Sequence, residues 1–341
     1  IVRSGIIDSV HSFANDPDRG LYLLGFITLI VFTSIYLFIF RLPTIKAIGN
    51  IKKFSKESFI SLNNIFFGTL IFSVMLGVTY PLIYEFLFNQ KISVGAPFYN
   101  AVFIPIVVLA CFFLFFSIDS KWSRNINLKF LSTPIFLSLL FSLISVISTA
   151  YLFNTNNLAI LVSIFAGAII IYRYIIEVLN YFLNKKYINP FSVIAHMALG
   201  LLLVSISFNS LLSTERALNI KINEYEEYKD LKIFFEDIRV LNNSNNDSIK
   251  ATFVIENLDG KKFNLSPEKR RYFTRGQITT ETAIHIMPLK DIYMTIGDQL
   301  DDGSWIVNIQ INYLIRFIWF SAALMAFAGI MLVFSNKRKQ L

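Results

Sequence analysis

"FSVIAHMALGLLLVSISFNSLL", residues 191–212, decides what kind of protein this is. It holds 22 residues and one ionisable side chain, His196, and about 20 apolar residues suffice to carry a helix across the hydrocarbon core of a bilayer. Residues 213–312, which follow, are polar, with acids and bases in similar number, and another apolar run opens at 313. The chain therefore reads as a membrane helix, an extramembrane domain and a return into the membrane.

Six more runs of this kind lie outward from that stretch, at 20–40, 60–88, 98–118, 130–153, 157–182 and 313–335, giving seven transmembrane spans. Composition agrees: of 341 residues, 55% are hydrophobic, 16% aromatic and only 16% charged, with 35 phenylalanines, too apolar for a water-soluble domain. Pro81 predicts that the second span kinks or ends early, and Pro105 and Pro134 bend or open the third and fourth. No repeat relates one group of spans to another, which argues against an inverted-repeat transporter.

The net charge of +8 does not indicate nucleic acid, because the bases sit in short loops rather than on one face. Arg41, Lys46, Lys52, Lys53 and Lys56 follow the first span, Lys121, Arg124 and Lys129 the third, Lys185 and Lys186 the fifth, and Lys337, Arg338 and Lys339 the last. These sides are expected to face the cytoplasm. The division is then a segment 1–19 on the outer side, a six-helix membrane domain 20–212, an outer domain 213–312, a final span 313–335 and a cytoplasmic tail 336–341. Alternating runs "KIFFEDIRV" (232–240), "SIKATFVIEN" (248–257) and "SWIVNIQIN" (304–312) make the outer domain β-rich. The fold class is thus an all-α polytopic membrane protein with a small β-rich domain between its last two helices.

The lone Cys111 forms no internal disulfide, and the chain has no CxxC, HExxH or GxxxxGK[ST] motif. It begins at Ile1 without a signal pattern, as a processed product or a fragment would. Chemistry is left to three histidines. His196, among Ala195, Ala198 and Gly200, reads either as a hydrogen bond between helices or as an axial ligand to a haem, and the spans contain no second histidine to complete such a site. His11 flanks an amphipathic turn, "SGIIDSVHSFANDP" (4–17), and His285 lies in a strand-like segment. Arg173 and Glu177, four apart in the fifth span, read as a mutual pair or as side chains snorkelling to the interface.

The phrases "VRSGIIDSVHSFANDPDRG" (2–20), "SLNNIFFGTLIFSVMLGVTYPLIYE" (61–85) with "KISVGAPFYN" (91–100), "VIAHMALGLLLVSIS" (193–207) and "TETAIHIMPLKDIYMTIGD" (280–298) together resemble the C-terminal half of the CcmF family of cytochrome c-type biogenesis proteins. The closing "INYLIRFIWFSAALMAFAGIMLVFS" (311–335) looks like that family's final span. The resemblance implies a haem lyase of the bacterial inner membrane, which attaches haem by two thioethers to the CxxCH motif of apocytochrome c in the periplasm. It implies that His11 matches a periplasmic ligand of the substrate haem, at the catalytic site, and that His196 matches a ligand of a membrane haem b that acts as reductant. The outer domain and segment 1–19 would then be periplasmic. The implied partners are a CcmE-like haem chaperone, apocytochrome c, CcmH-like thioredoxin-type thiol-reducing proteins and an N-terminal half. The family's tryptophan-rich WWD segment is expected in that other half, because the only tryptophans here are Trp122, Trp305 and Trp319, and with it one ligand of each haem. Two readings compete with the lyase: a membrane transporter or exporter of haem or another small molecule, and an assembly scaffold without chemistry.

Overall fold

In hydrocarbon a backbone N–H must find its acceptor within its own segment, so the apolar runs have one regular outcome. A computed structural model of the chain describes residues 17–44, 51–90, 92–124, 132–184, 188–273 and 278–337. Its seven helices are all long and apolar enough to cross a membrane: α1 (Pro17–Arg41), α2 (Lys56–Phe88), α3 (Ala96–Ser117), α4 (Thr133–Leu152), α5 (Leu158–Asn184), α6 (Pro190–Leu212) and α7 (Ile315–Lys337). Two compact units divide them, residues 1–127 with α1–α3 and residues 128–341 with α4–α7.

Local chemistry sets the helix ends. Ser55 and Ser58 form a reciprocal cap at the start of α2, and Asn89, in the left-handed region at φ 50°, closes it. Pro81 does not end α2, which continues to Phe88; membrane helices tolerate the lost hydrogen bond. Pro134 opens α4 from its first turn rather than bending it. Asn157 Oδ1 accepts from the backbone N–H groups of Ala159 and Ile160 at 3.1 and 3.3 Å, capping α5. Asn189 accepts from Phe191 at 3.1 Å and starts α6 beside Pro190.

Between α6 and α7 the described residues make a β-sandwich of ten antiparallel strands. One sheet has the order β1 (Thr214–Ile220), β10 (Trp305–Tyr313), β9 (Lys290–Gln299), β8 (Ala283–Ile286). The other runs β2 (Tyr225–Tyr228), β3 (Leu231–Asn242), β4 (Asn246–Asn257), β6 (Glu268–Tyr272), β7 (Ile278–Glu281), with β5 (Lys262–Leu265) also on β4. The expected strands at 232–240, 248–257 and 304–312 fall in β3, β4 and β10. Alternate residues of each strand face inward, and Ile233, Phe235, Phe253, Ile255, Ile292, Met294, Ile296, Val307 and Ile309 are fully buried between the sheets. A bulge between Phe235 and Asp237 interrupts the register of β3 on β4.

The sandwich is fastened where it meets the helices. Asn209, in the last turn of α6, donates from Nδ2 to the Tyr313 carbonyl at 2.6 Å, and Tyr313 N–H donates to Ser213 Oγ at 3.0 Å. Leu314, at φ 56°, turns the chain from β10 into α7, and Arg316 in the first turn of α7 pairs with the buried Asp291 of β9 at 3.3 Å.

Candidate functional site

The crossing of α5 and α6 is set by two glycines. A methyl group built on Gly167 would lie 2.7 Å from the Gly200 carbonyl oxygen, and one on Gly200 would lie 2.7 Å from both the Gly167 carbonyl oxygen and Ile171 Cγ1. Backbone therefore touches backbone, as small residues permit between membrane helices. Gly200, expected to let another body approach, admits helix α5.

This crossing brings His196 to Tyr174. The two helices run in opposite directions, so Tyr174, seven residues beyond Gly167, and His196, four residues before Gly200, lie on the same side of the crossing. Along the axes they stand roughly 10.5 Å and roughly 6 Å from it at 1.5 Å per residue. Helical side chains lean toward the N-terminus of their own helix. Tyr174 thus leans back toward the crossing and His196 leans away from it, and the two meet. Tyr174 Oη lies 2.8 Å from His196 Nδ1, the rings are nearly parallel (13°) with centroids 5.3 Å apart, and Ser192 Oγ, one turn earlier on α6, lies 3.2 Å from the same nitrogen. Both contacts are to Nδ1; Nε2 of this half-buried ring has no hydrogen-bond partner among the described residues.

The sequence left His196 as helix glue or haem ligand, and the geometry makes the two compatible, because one nitrogen serves the helix pair and the other has no hydrogen-bond partner among the described residues. Sequence reading missed Tyr174 and Ser192. Ser192 carried a signal, being four residues from His196 on one helical face. Tyr174 carried none, since its contact depends on the register of α5 against α6.

Beside this pair, Arg173 and Glu177 are joined Nη1 to Oε1 at 2.5 Å with side chains only 1% and 7% exposed. The mutual pair stands, and snorkelling is corrected: the guanidinium is enclosed by the bundle. On the other face of α5, Tyr172 Oη meets Ser145 Oγ of α4 at 2.9 Å.

His285, on β8, stacks on the Phe263 ring of β5 at 3.6 Å between centroids and 10° between planes, spanning the edges of the two sheets. This is a packing contact. His11, the expected ligand of the outer side, lies outside the described residues. Cys111 is buried in α3, and no group of three or more His, Cys, Asp and Glu side chains suited to a metal ion occurs among the described residues.

A family model described as the CcmF C-terminal beta-sandwich matches residues 211–312, the segment that forms the sandwich. The cytochrome c-type biogenesis protein CcmF of Escherichia coli (strain K12) is 29% identical over 345 residues, covering 100% of this chain and 53% of the relative. CcmF of Pseudomonas fluorescens is 28% identical over 342 residues, covering 97% of this chain and 51% of its own. The biogenesis protein CycK of Bradyrhizobium diazoefficiens is 29% identical over 345 residues, covering 97% and 52%. The chain spans about half the length of these curated relatives. A solved structure titled "Cytochrome c Heme Lyase CcmF" shares the fold with a TM-score of 0.66 at 16% identity, over 82% of this chain and 46% of that one. With the sandwich matched by the CcmF C-terminal beta-sandwich model and relatives aligned along nearly all of its length, the chain is similar to the C-terminal part of CcmF proteins.

Proposed function

We propose that this chain is the C-terminal part of a haem lyase that acts in cytochrome c biogenesis, attaching haem through thioethers to the CxxCH motif of apocytochrome c on the periplasmic side of the bacterial inner membrane. The observation that carries the reading is the state of His196. Its Nδ1 is engaged by Tyr174 and Ser192, and its Nε2 is left without a protein partner among the described residues. A metal-binding imidazole commonly has this arrangement, one nitrogen held by the protein and the other available to the metal.

In this reading His196 Nε2 would hold a membrane haem b together with a ligand from the N-terminal half of the lyase. When bound, that haem supplies one-electron chemistry, which would keep the substrate haem iron ferrous during thioether formation. The chain's own contribution is to hold the imidazole at a fixed angle in a water-poor helix pair, where ligand, hydrogen bonding and burial tune the potential. His11 is a ligand of the substrate haem on the periplasmic side. The segment 1–19 and the sandwich stand in the periplasm and residues 336–341 in the cytoplasm, as the basic loops on alternate sides support. The partners are a CcmE-like haem donor, apocytochrome c, CcmH-like proteins that keep the apocytochrome thiols reduced, and the N-terminal half bearing the WWD segment. The names of the relatives and the solved structure support this biogenesis role.

The test is His196→Ala in the complete lyase, purified with its bound haem. The membrane b-type haem is expected to disappear from the spectrum while the protein still inserts. Retention of that haem at full occupancy would overturn the assignment.

A further inference from the structure

We infer that Tyr174 is a positioning residue for the haem ligand, fixing the tautomer of His196 and setting the reduction potential of the membrane haem through a hydrogen bond at Nδ1. This rests on the reading of His196 as an axial ligand. The tyrosine is buried (7% exposed) on α5, whereas the ligand is on α6, so the contact ties the iron site to the packing of two helices.

An imidazole that coordinates through Nε2 carries its proton on Nδ1. That proton then needs an acceptor: among side chains Tyr174 Oη at 2.8 Å is the nearer and Ser192 Oγ at 3.2 Å the alternative, with the Ser192 backbone carbonyl also in contact with the ring. Accepting from Nδ1–H increases the electron density of the ring, makes the ligand more basic and favours the ferric over the ferrous iron. The direction is therefore fixed: the Tyr174 hydrogen bond lowers the haem potential, and losing it raises the potential.

The tyrosine also packs. Its ring lies nearly parallel to the imidazole, and a phenylalanine would keep that ring while removing only the oxygen. Hydrogen bonding and packing can thus be separated at a single position. Gly167, two turns away on the same helix, holds α5 against α6 through the Gly200 backbone and keeps the hydroxyl within reach.

The experiment compares Tyr174→Phe, Ser192→Ala and the double variant with the unaltered complete lyase. It reads haem content, the EPR g-values of the oxidised low-spin haem and the midpoint potential from redox titration. The expected result is a b-type haem retained in Tyr174→Phe with a raised potential and shifted g-values, a smaller shift of the same sign in Ser192→Ala, and the largest in the double variant. Loss of haem from Tyr174→Phe, with the Ser192→Ala shift still seen, also supports the role, through ligand affinity. An unchanged potential and unchanged g-values in Tyr174→Phe would overturn the inference and leave His196 as ligand intact. Haem retained in full by His196→Ala would instead remove the reading beneath it.

Discussion

The β-sandwich and the helices α4–α6 draw on similar residues, but the helices enclose a larger share of polar side chains. In the sandwich the interior is hydrocarbon: Ile233, Phe235, Phe253, Ile255, Met294 and Ile309 are fully enclosed, and the Phe235 and Phe253 rings stack at 4.4 Å. In the helices the enclosed side chains include Ser138, Ser142, Thr149, Arg173, Glu177, Ser205 and Ser207, whereas Leu139, Leu140, Phe141, Ile144 and Ile147 are exposed. The difference lies in the solvent. Water drives apolar surface inward, but lipid tails give apolar side chains no reason to leave them, so membrane helices associate through close packing and polar contacts. The polar groups of α4 are satisfied locally: Ser138, Ser142, Ser145 and Thr149 each donate to the carbonyl four residues earlier, at 2.7 to 2.9 Å.

The largest effect is expected where the helix interior is most unlike the sandwich. Arg173→Met leaves the Glu177 carboxylate enclosed without the guanidinium one turn away. Removing one member of a buried ion pair costs about 3–5 kcal/mol, whereas replacing both with apolar residues of similar volume is often neutral. The paired variant Arg173→Met/Glu177→Leu should therefore recover most of the stability lost by the single one, as measured by thermal unfolding in lipid nanodiscs. A double variant less stable than the single one would mean that the pair does more than neutralise itself, and the contrast between the regions would have to be redrawn.

What could be read from the sequence divides along the same line. Alternation in "KIFFEDIRV" and "SWIVNIQIN" identified β3 and β10 because a strand's inward face is written in its own residues. The order of strands in the two sheets was not legible, nor were the short strands β5 and β7, because pairing depends on residues far apart. The seven helices followed from length and hydropathy. How they pack did not, since lipid-facing and helix-facing positions are both apolar. The site shows this most plainly. His196 stood out as a lone ionisable group in a span, and Arg173 and Glu177 stood out by their spacing, but the depth of that pair and the identity of Tyr174 as partner depend on Gly167 meeting Gly200. His11 was singled out only through a family motif, and it lies outside the described residues.

That glycine contact offers the sharpest comparison of the two interiors, because a single carbon can be added in one and removed in the other. Gly200→Ala places a methyl 2.7 Å from a backbone carbonyl oxygen and from Ile171 Cγ1. A carbonyl in a helix cannot swing aside, so α5 and α6 must separate, at a cost of about 1–3 kcal/mol typical of overpacking. The same shift draws Tyr174 away from His196, so weaker helix pairing and, on the proposed reading of His196 as a haem ligand, a raised haem potential should appear together in thermal unfolding and redox titration.

Ile255→Val makes the complementary change in the sandwich, deleting one methylene from a fully buried side chain between the sheets. The expected loss is smaller, about 0.5–1.5 kcal/mol, because neighbours such as Phe253 and Leu265 relax partly into the space. Hydrogen exchange of the amides in β3, β4 and β9 of the whole chain would register it, with faster exchange there and no change in α5 or α6. If Ile255→Val proved costlier than Gly200→Ala, the helix crossing would be looser than a backbone contact implies. The placement of Tyr174 against His196 would then need a cause other than the two glycines.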